Sequence, residues 1–577
     1  MNYFEKMMKK QIAPADPVAK RPFFYLLQEK EIFAGPRSDN RGVQFLYMDN
    51  GRLIDSAKIA GNVKDEAMLE LLKTTQGLRK MVHSIGVSVS AKERDRKVDF
   101  IFQMYGKTDV YHSGTVISHT MRCDGIEQVY FLDEENWSED DKEPGQIRFE
   151  FDTPEVLATV NIKLYLKDGF DAPEVIEDSD IDYDSEAYKN MIAGSLLSKG
   201  NAAAVKKVID KARNGENVTF AYIGGSITQG AGAVPIHTNC YAYQSYKAFA
   251  DKYGSGDNVR FIKAGIGGTS SELGMIRFER DVLNYGTSVP DLVVVEFAVN
   301  DEGDETNGVC YESLVRKILK LPQPPVVLLL FMVFSYDWNL QDRLSPVGYH
   351  YDLPMVSIKD AVTEQFLFSK EEGRILSKNQ FFYDVFHPGN IGHRITAECI
   401  MHLFEEIDSE DVNSKDIHIM DNKVQLPQDA IIGADFEDVH LLDRQDNAIN
   451  AVIDCGDFNG RDSELQSVER DKDVMQTPQF PENWLHTTGD RPFVMKIKCK
   501  SLLIIFKDSA ACDVGKACLY VDGSLIATLD PHEVGWVHCN AKIMLDDRES
   551  HEHEIVVRMA EGCESMLFTI LGFGYVV

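Results

Sequence analysis

Apolar and polar positions change their rhythm three times along the chain. Between residues 21 and 166, short runs at 23–27, 43–47, 98–104, 128–132, 147–151 and 160–166 are separated by turn-rich gaps. Such spacing predicts the short antiparallel strands of a β-sandwich, interrupted by a helical segment near 63–72. From about 186 to 410 the period lengthens. Val205, Val208, Ile209 and Ala212 recur at helical spacing. Helix-like segments at 241–252, 274–283 and 390–407 alternate with continuous apolar runs at 218–223, 261–266, 292–299 and 326–334. Apolar strands without alternation are buried on both faces, so this zone predicts a parallel sheet covered by helices. In the last zone the strand rhythm returns at 451–455, 493–498, 502–507, 517–521, 554–557 and 566–571. It predicts a second β-sandwich.

These textures divide the chain into a tail (1–20), an N-terminal jelly-roll-like β-sandwich (21–176), a linker (177–185), an α/β domain (186–412) and a C-terminal β-sandwich (425–577). The linker carries Asp178, Asp180, Asp182 and Asp184 at alternate positions. A calcium loop needs Gly at its sixth position and Glu at its twelfth. Tyr183 and Lys189 stand there, so the run reads as a solvated linker.

Charge narrows the partners. Against 60 Lys and Arg stand 92 Asp and Glu, a net charge of −32. A field of that sign repels phosphate backbones and anionic lipid, so neither nucleic acid nor a membrane is an expected partner. The longest apolar run, 326–334, is far short of the about 20 residues a spanning helix needs. The opening residues MNYFEKMMKKQIAPADP lack the apolar stretch of a signal peptide, and a cytoplasmic location is expected. Six of the ten cysteines follow residue 450: Cys455, Cys499, Cys512, Cys518, Cys539 and Cys563. Without an export signal they read as reduced thiols. No C-x-x-C pair exists to support a zinc ribbon.

Four short blocks in the α/β zone carry candidate chemistry. The first, Gly224-Gly225-Ser226-Ile227-Thr228, follows a buried strand and precedes a helix, where α/β proteins bind ligands. It is not a P-loop, a dinucleotide loop or a G-x-S-x-G elbow, since Thr228 replaces the last Gly. The second, Gly265-Ile266-Gly267-Gly268, lets backbone N–H groups approach a ligand oxygen. The third ends the strand at 292–299 with Asn300. The fourth is Asp384-Val385-Phe386-His387. Together they supply a nucleophile (Ser226), a base (His387), a group that orients the imidazole (Asp384) and oxyanion donors: the N–H groups of Ser226 and Gly268 and the Asn300 amide. Gly267 is an alternative donor to Gly268. Taken singly, Ser226 could be a helix cap, Asn300 and Asp384 could cap turns, and His387 could be structural. His393 is a competing histidine, but the Asp–His spacing favours His387.

The four blocks, in this order, resemble the SGNH (GDSL-like) hydrolase superfamily. Gly225 stands where that family usually has Asp, and Gly-Gly-Ser variants are similar to a branch of bacterial carbohydrate esterases. The resemblance covers only the middle zone. It implies a three-layer α/β/α domain, a Ser-His-Asp acyl-enzyme mechanism and no cofactor or metal. With β-sandwiches on both sides, one of them carbohydrate-binding-module-like, it implies an O-acetylesterase acting on hemicellulose-derived oligosaccharides of mannan or xylan type. The alternatives are a lipid or thioester hydrolase on the same triad and a catalytically silent glycan-binding protein. The expected partner is an acetylated oligosaccharide. The oligomeric state is open, with a homodimer as one option. Trp338, Trp484 and Trp536 are candidate sugar-stacking residues, and the segment 535–538 is a candidate to face the α/β domain. The cluster His551-Glu552-His553-Glu554 alternates like a strand and reads as a solvated face, since no third metal ligand is identifiable.

Overall fold

The computed structural model describes residues 21–410, 429–445, 451–467 and 478–577. The expected tail and the domain boundary at 412–425 lie outside the described residues. The chain divides into two compact units.

The first unit comprises the described residues up to Ile181 together with Leu376–Phe386. Its two antiparallel sheets match the strand rhythm of the sequence. One has the order Phe23–Phe33, Leu157–Leu166, Val82–Ala91, Gln128–Phe131. The other has the order Gly35–Pro36, Gly42–Tyr47, Asp141–Phe151, Lys97–Gly106, Val116–Arg122. Inward residues of both, such as Ile85, Ile162, Phe100 and Phe149, share one core. Three short helices at Arg52–Ile59, Glu66–Leu71 and Thr75–Met81 replace the single helix expected near 63–72. Asp65 and Thr74 cap the second and third, accepting from backbone N–H groups of the first turn.

The second unit holds the α/β domain and the C-terminal strands. Its central sheet has six strands in the order Leu196–Ser198, Met355–Ser357, Val326–Phe331, Leu292–Glu296, Val218–Gly224, Val259–Gly265. All but the first are parallel. Every residue of Leu292–Glu296 and Val326–Phe331 is buried, as strands covered on both faces require. Register aligns the strand ends: Gly224 sits opposite both Gly265 and Glu296. The loops after these strands therefore emerge side by side. Arg277, with no exposed surface, ties two of the ends together by donating to Gly224 O (3.0 Å) and Ala264 O (2.7 Å).

The C-terminal strands form one antiparallel network of eight strands around Phe493–Asp508, His538–Met559 and Phe568–Val576. Alternation within Leu502–Phe506 explains how it attaches. Leu502, Ile504 and Phe506 enter the network's own core. Leu503 and Ile505 enter the core that contains Met275, Ile276 and Phe278 of the helix Ser271–Asp281. A methyl at Gly574 would lie 2.7 Å from Ile276 Cδ1, so glycine there permits close docking on that helix. No described helix is long and apolar enough to cross a membrane.

Candidate active site

The site grows from the aligned strand ends. Beyond Gly224 the chain bends at Gly225 and starts a short helix, Ser226–Gln229. At the first position of a helix the Ser226 N–H has no intrahelical acceptor and is free to bind an anion. The Ser226 hydroxyl lies 2.9 Å from His387 Nε2. The two sit 161 residues apart in sequence, and the helix Asn390–Ser409 begins just after His387.

Asn300 follows the neighbouring strand, and its side chain fills the space over Gly225. A methyl at Gly225 would lie 2.1 Å from Asn300 Oδ1. That close approach accounts for Gly where the resemblance leads one to expect Asp. In the second block, a methyl at Gly267 would lie 3.7 Å from Ser226 Cβ, so this glycine flanks the nucleophile. Gly268, at φ +71°, uses the left-handed region that glycine adopts without penalty. Asp384 belongs to the first unit, where its Oδ1 accepts from Phe386 N at 2.8 Å.

Buried carboxyl groups lie beneath the site. Glu296, wholly buried, accepts from Thr228 Oγ1 at 2.9 Å, and burial pushes it up to about 8. Asp301 accepts both the N–H and the hydroxyl of Ser271 at 2.8 Å, and burial together with the charge of Asp304 pushes it up to about 8. His393 is excluded as the base by its bonds. Its Nδ1 accepts from Tyr241 N (3.1 Å), its Nε2 donates to Ala231 O (3.0 Å), and burial lowers it to about 3.

The C-terminal strands reach the second block. Gln466 Nε2 donates to Gly267 O at 2.8 Å, and its Oε1 accepts from Cys539 N at 3.0 Å. A methyl at Gly268 would lie 2.8 Å from His538 Nε2 and 3.2 Å from the Trp536 ring. Trp536 keeps 43% of its surface exposed, while His538 is buried and pairs through Nδ1 with Asn540 Oδ1 at 2.9 Å. Gln466 is a contributor the sequence did not reveal, because a lone glutamine in a loop carries no motif.

The other tryptophans divide. Trp484 is a correction: it is 3% exposed and packs against Phe493 and Phe573 in the C-terminal core, where no sugar can stack. Trp338 stacks with Phe334 at 6.0 Å and packs against the core of the second unit. In the 551–554 cluster, His553 pairs with Asp522 at 2.8 Å. Among the described residues, Glu272, Asp304 and Cys310 group within 4.8 Å. Asp304 already accepts from Thr306 N and Gly308 N, and Glu272 from Glu305 N, so these carboxylates brace a turn.

Residues 222–395 match the family model of the GDSL-like lipase/acylhydrolases. No curated protein matches the chain. Among solved structures, a two-domain esterase active on acetylated mannans is similar at 25% identity and TM-score 0.56, over 67% of this chain and 99% of its own. A two-domain esterase of the same description, crystallised with mannopentaose, is similar at 25% identity and TM-score 0.54, over 67% and 98%.

Proposed function

We propose, from the match of residues 222–395 to the family model of the GDSL-like lipase/acylhydrolases, that this protein is a serine esterase that removes O-acetyl groups from hemicellulose-derived oligosaccharides of mannan or xylan type. The observation that carries the reading is the 2.9 Å bond between Ser226 Oγ and His387 Nε2 at the carboxyl edge of a parallel sheet. As Oγ attacks the acetyl carbonyl, His387 Nε2 takes its proton. The oxyanion forms against the N–H groups of Ser226 and Gly268 and the Asn300 amide, each such donor being worth about 3–4 kcal/mol in the transition state. Asp384, three residues before His387, orients the imidazole and stabilises its charged form. The sugar hydroxyl leaves with the proton from His387. Water, deprotonated by the same imidazole, then releases acetate and restores Ser226. No step requires a cofactor.

Two observations support a sugar ester in preference to a lipid. The exposed Trp536 ring lies against Gly268, where a pyranose attached to the acetyl group could stack. The similar solved esterase acts on acetylated mannans. The test is mass spectrometry of acetylated manno- and xylo-oligosaccharides incubated with the protein and with Ser226→Ala. Acetyl loss that disappears in the variant is expected. Equal acetyl loss with Ser226→Ala would overturn the mechanism, and no loss from either sugar would overturn the substrate class.

A further inference from the structure

The edge strand Phe23–Phe33 of the first unit departs from regular pairing. In it, Leu27 pairs with Ile162 and Lys30 with Val160, so Gln28 and Glu29 together oppose the single residue Asn161. This is a β-bulge, and bulges re-aim side chains. Glu29 adopts φ +47°, a left-handed conformation unusual for a residue with a side chain. Asn161 holds it there, accepting from Glu29 N at 2.8 Å and donating to Glu29 Oε1 at 2.7 Å. Residues directly opposite in a pair share a face. The extra residue therefore places Lys30 on the same face as Leu27.

Lys30 is thereby 8% exposed, and a lysine that deep is rare without a partner. Its Nζ donates to Phe382 O at 2.8 Å and lies 5.6 Å from the centre of the Tyr383 ring. The charged groups facing it are Asp384 and Asp178, while its strand neighbours Glu29 and Glu31 are exposed. Three further bonds hold the same stretch: Asn379 Nδ2 to Gln28 O (3.4 Å) and to Asp178 Oδ2 (3.0 Å), and Gln380 Nε2 to Ser179 O (2.8 Å). The bulge thus serves the clamp twice, by aiming Lys30 and by freeing the Gln28 carbonyl.

We propose that Lys30 is a positioning residue for the triad carboxylate: the bulge at Gln28–Glu29 turns its ammonium group onto Leu376–Phe386 and holds the backbone from which Asp384 projects to the N-terminal β-domain. The inference rests on the reading of Asp384 as the triad acid. Phe382 is two residues before Asp384, and the bond from Phe386 N ties the carboxylate to the backbone just after it. A cation beside that carboxylate favours the charged form the triad needs.

The test uses the full-length protein and the rate at which a fluorophosphonate probe labels Ser226, read by intact-protein mass spectrometry. Labelling needs the nucleophile and its base but no sugar. Lys30→Met is expected to label roughly 10- to 100-fold more slowly, the cost of a small misplacement near the chemistry. Lys30→Arg, which keeps a cation, restores most of the rate. Burial lowers Lys30 to about 8, so the wild-type rate is expected to fall as the pH rises through that value, while the Lys30→Arg rate does not. Wild-type labelling by Lys30→Met, or a wild-type rate that does not fall between about pH 7.5 and 9, would overturn the inference. The second measurement needs no variant and stands if Lys30→Met does not fold. Wild-type protein that the probe never labels would instead overturn the serine-esterase reading, and this inference with it.

Discussion

Gly225→Ala isolates the Asn300 amide without touching the nucleophile or the base. The backbone at Gly225 has φ −87°, outside the left-handed region that favours glycine. The nearest atoms to the new methyl belong to the amide itself, 2.1 Å away at Asn300 Oδ1 and 2.7 Å at its Cγ. Carbon and oxygen rest at about 3.5 Å, so the amide must retreat by more than about 1 Å. A shift of that size costs about 100-fold in rate, and complete loss of an oxyanion donor costs about 100- to 1,000-fold in kcat. Gly225→Ala is therefore expected to lower kcat on an acetyl ester by about 100-fold or more with little change in KM, because the donor acts only in the transition state. Asn300→Ala should cost about the same. The double variant should be no worse than Asn300→Ala alone, because both changes remove one interaction. Steady-state kinetics on p-nitrophenyl acetate measures all three. Wild-type kcat in Gly225→Ala, or losses that multiply in the double variant, would refute the placement of the amide in the oxyanion hole.

Three further outcomes can be measured. Trp536→Ala should lower kcat/KM on acetylated oligosaccharides by roughly tenfold, the worth of about 1–1.5 kcal/mol of aromatic contact, and leave p-nitrophenyl acetate unaffected; equal losses on both would exclude sugar stacking. Glu312, wholly buried, accepts from Ile431 N (3.0 Å), Ile432 N (2.6 Å), Gly433 N (2.9 Å) and Tyr351 OH (2.6 Å). Glu312→Ala strands these donors and should destabilise the second unit by about 3 kcal/mol or more in urea unfolding; a change under about 1 kcal/mol would contradict that. Burial raises Glu296 from 4.5 to about 8, so its contribution to stability is full below about pH 4.5 and is lost as the pH rises through about 8. Glu296→Gln should flatten the decline in melting temperature between pH 5 and 8, and an unchanged slope would count against a protonated Glu296.

The α/β domain was legible because its signals are local. An apolar strand buried on both faces announces itself by lacking alternation, and Val218–Gly224 and Val326–Phe331 form close to where the runs predict. The nucleophile, glycine and asparagine blocks lie next to such strand ends. Their register, with Gly224 opposite Gly265 and Glu296, follows from parallel pairing. Helix detail was less legible in the N-terminal domain. There the single expected helix became three, because Asp65 and Thr74 each cap a new start within a few residues.

By itself the sequence determined the strand rhythm, the order of the three zones and the residue types at the catalytic strand ends. These depend on neighbours a few positions away. Only the tertiary structure decided which side chains from distant segments meet them. Trp484 and Trp536 have the same chemistry and lie in the same β-domain, yet one fills its core and the other stands exposed beside Gly268. Gln466 reaches Gly267 across 199 residues of sequence because Leu503 and Ile505 seat the C-terminal strands on the helix that follows the glycine loop. Lys30 reads as an ordinary strand lysine until the pairing places it on the same face as the buried Leu27. Periodicity records which face of an element is apolar, but the partner of that face is chosen by packing between segments far apart in the chain. That choice leaves no local pattern to read.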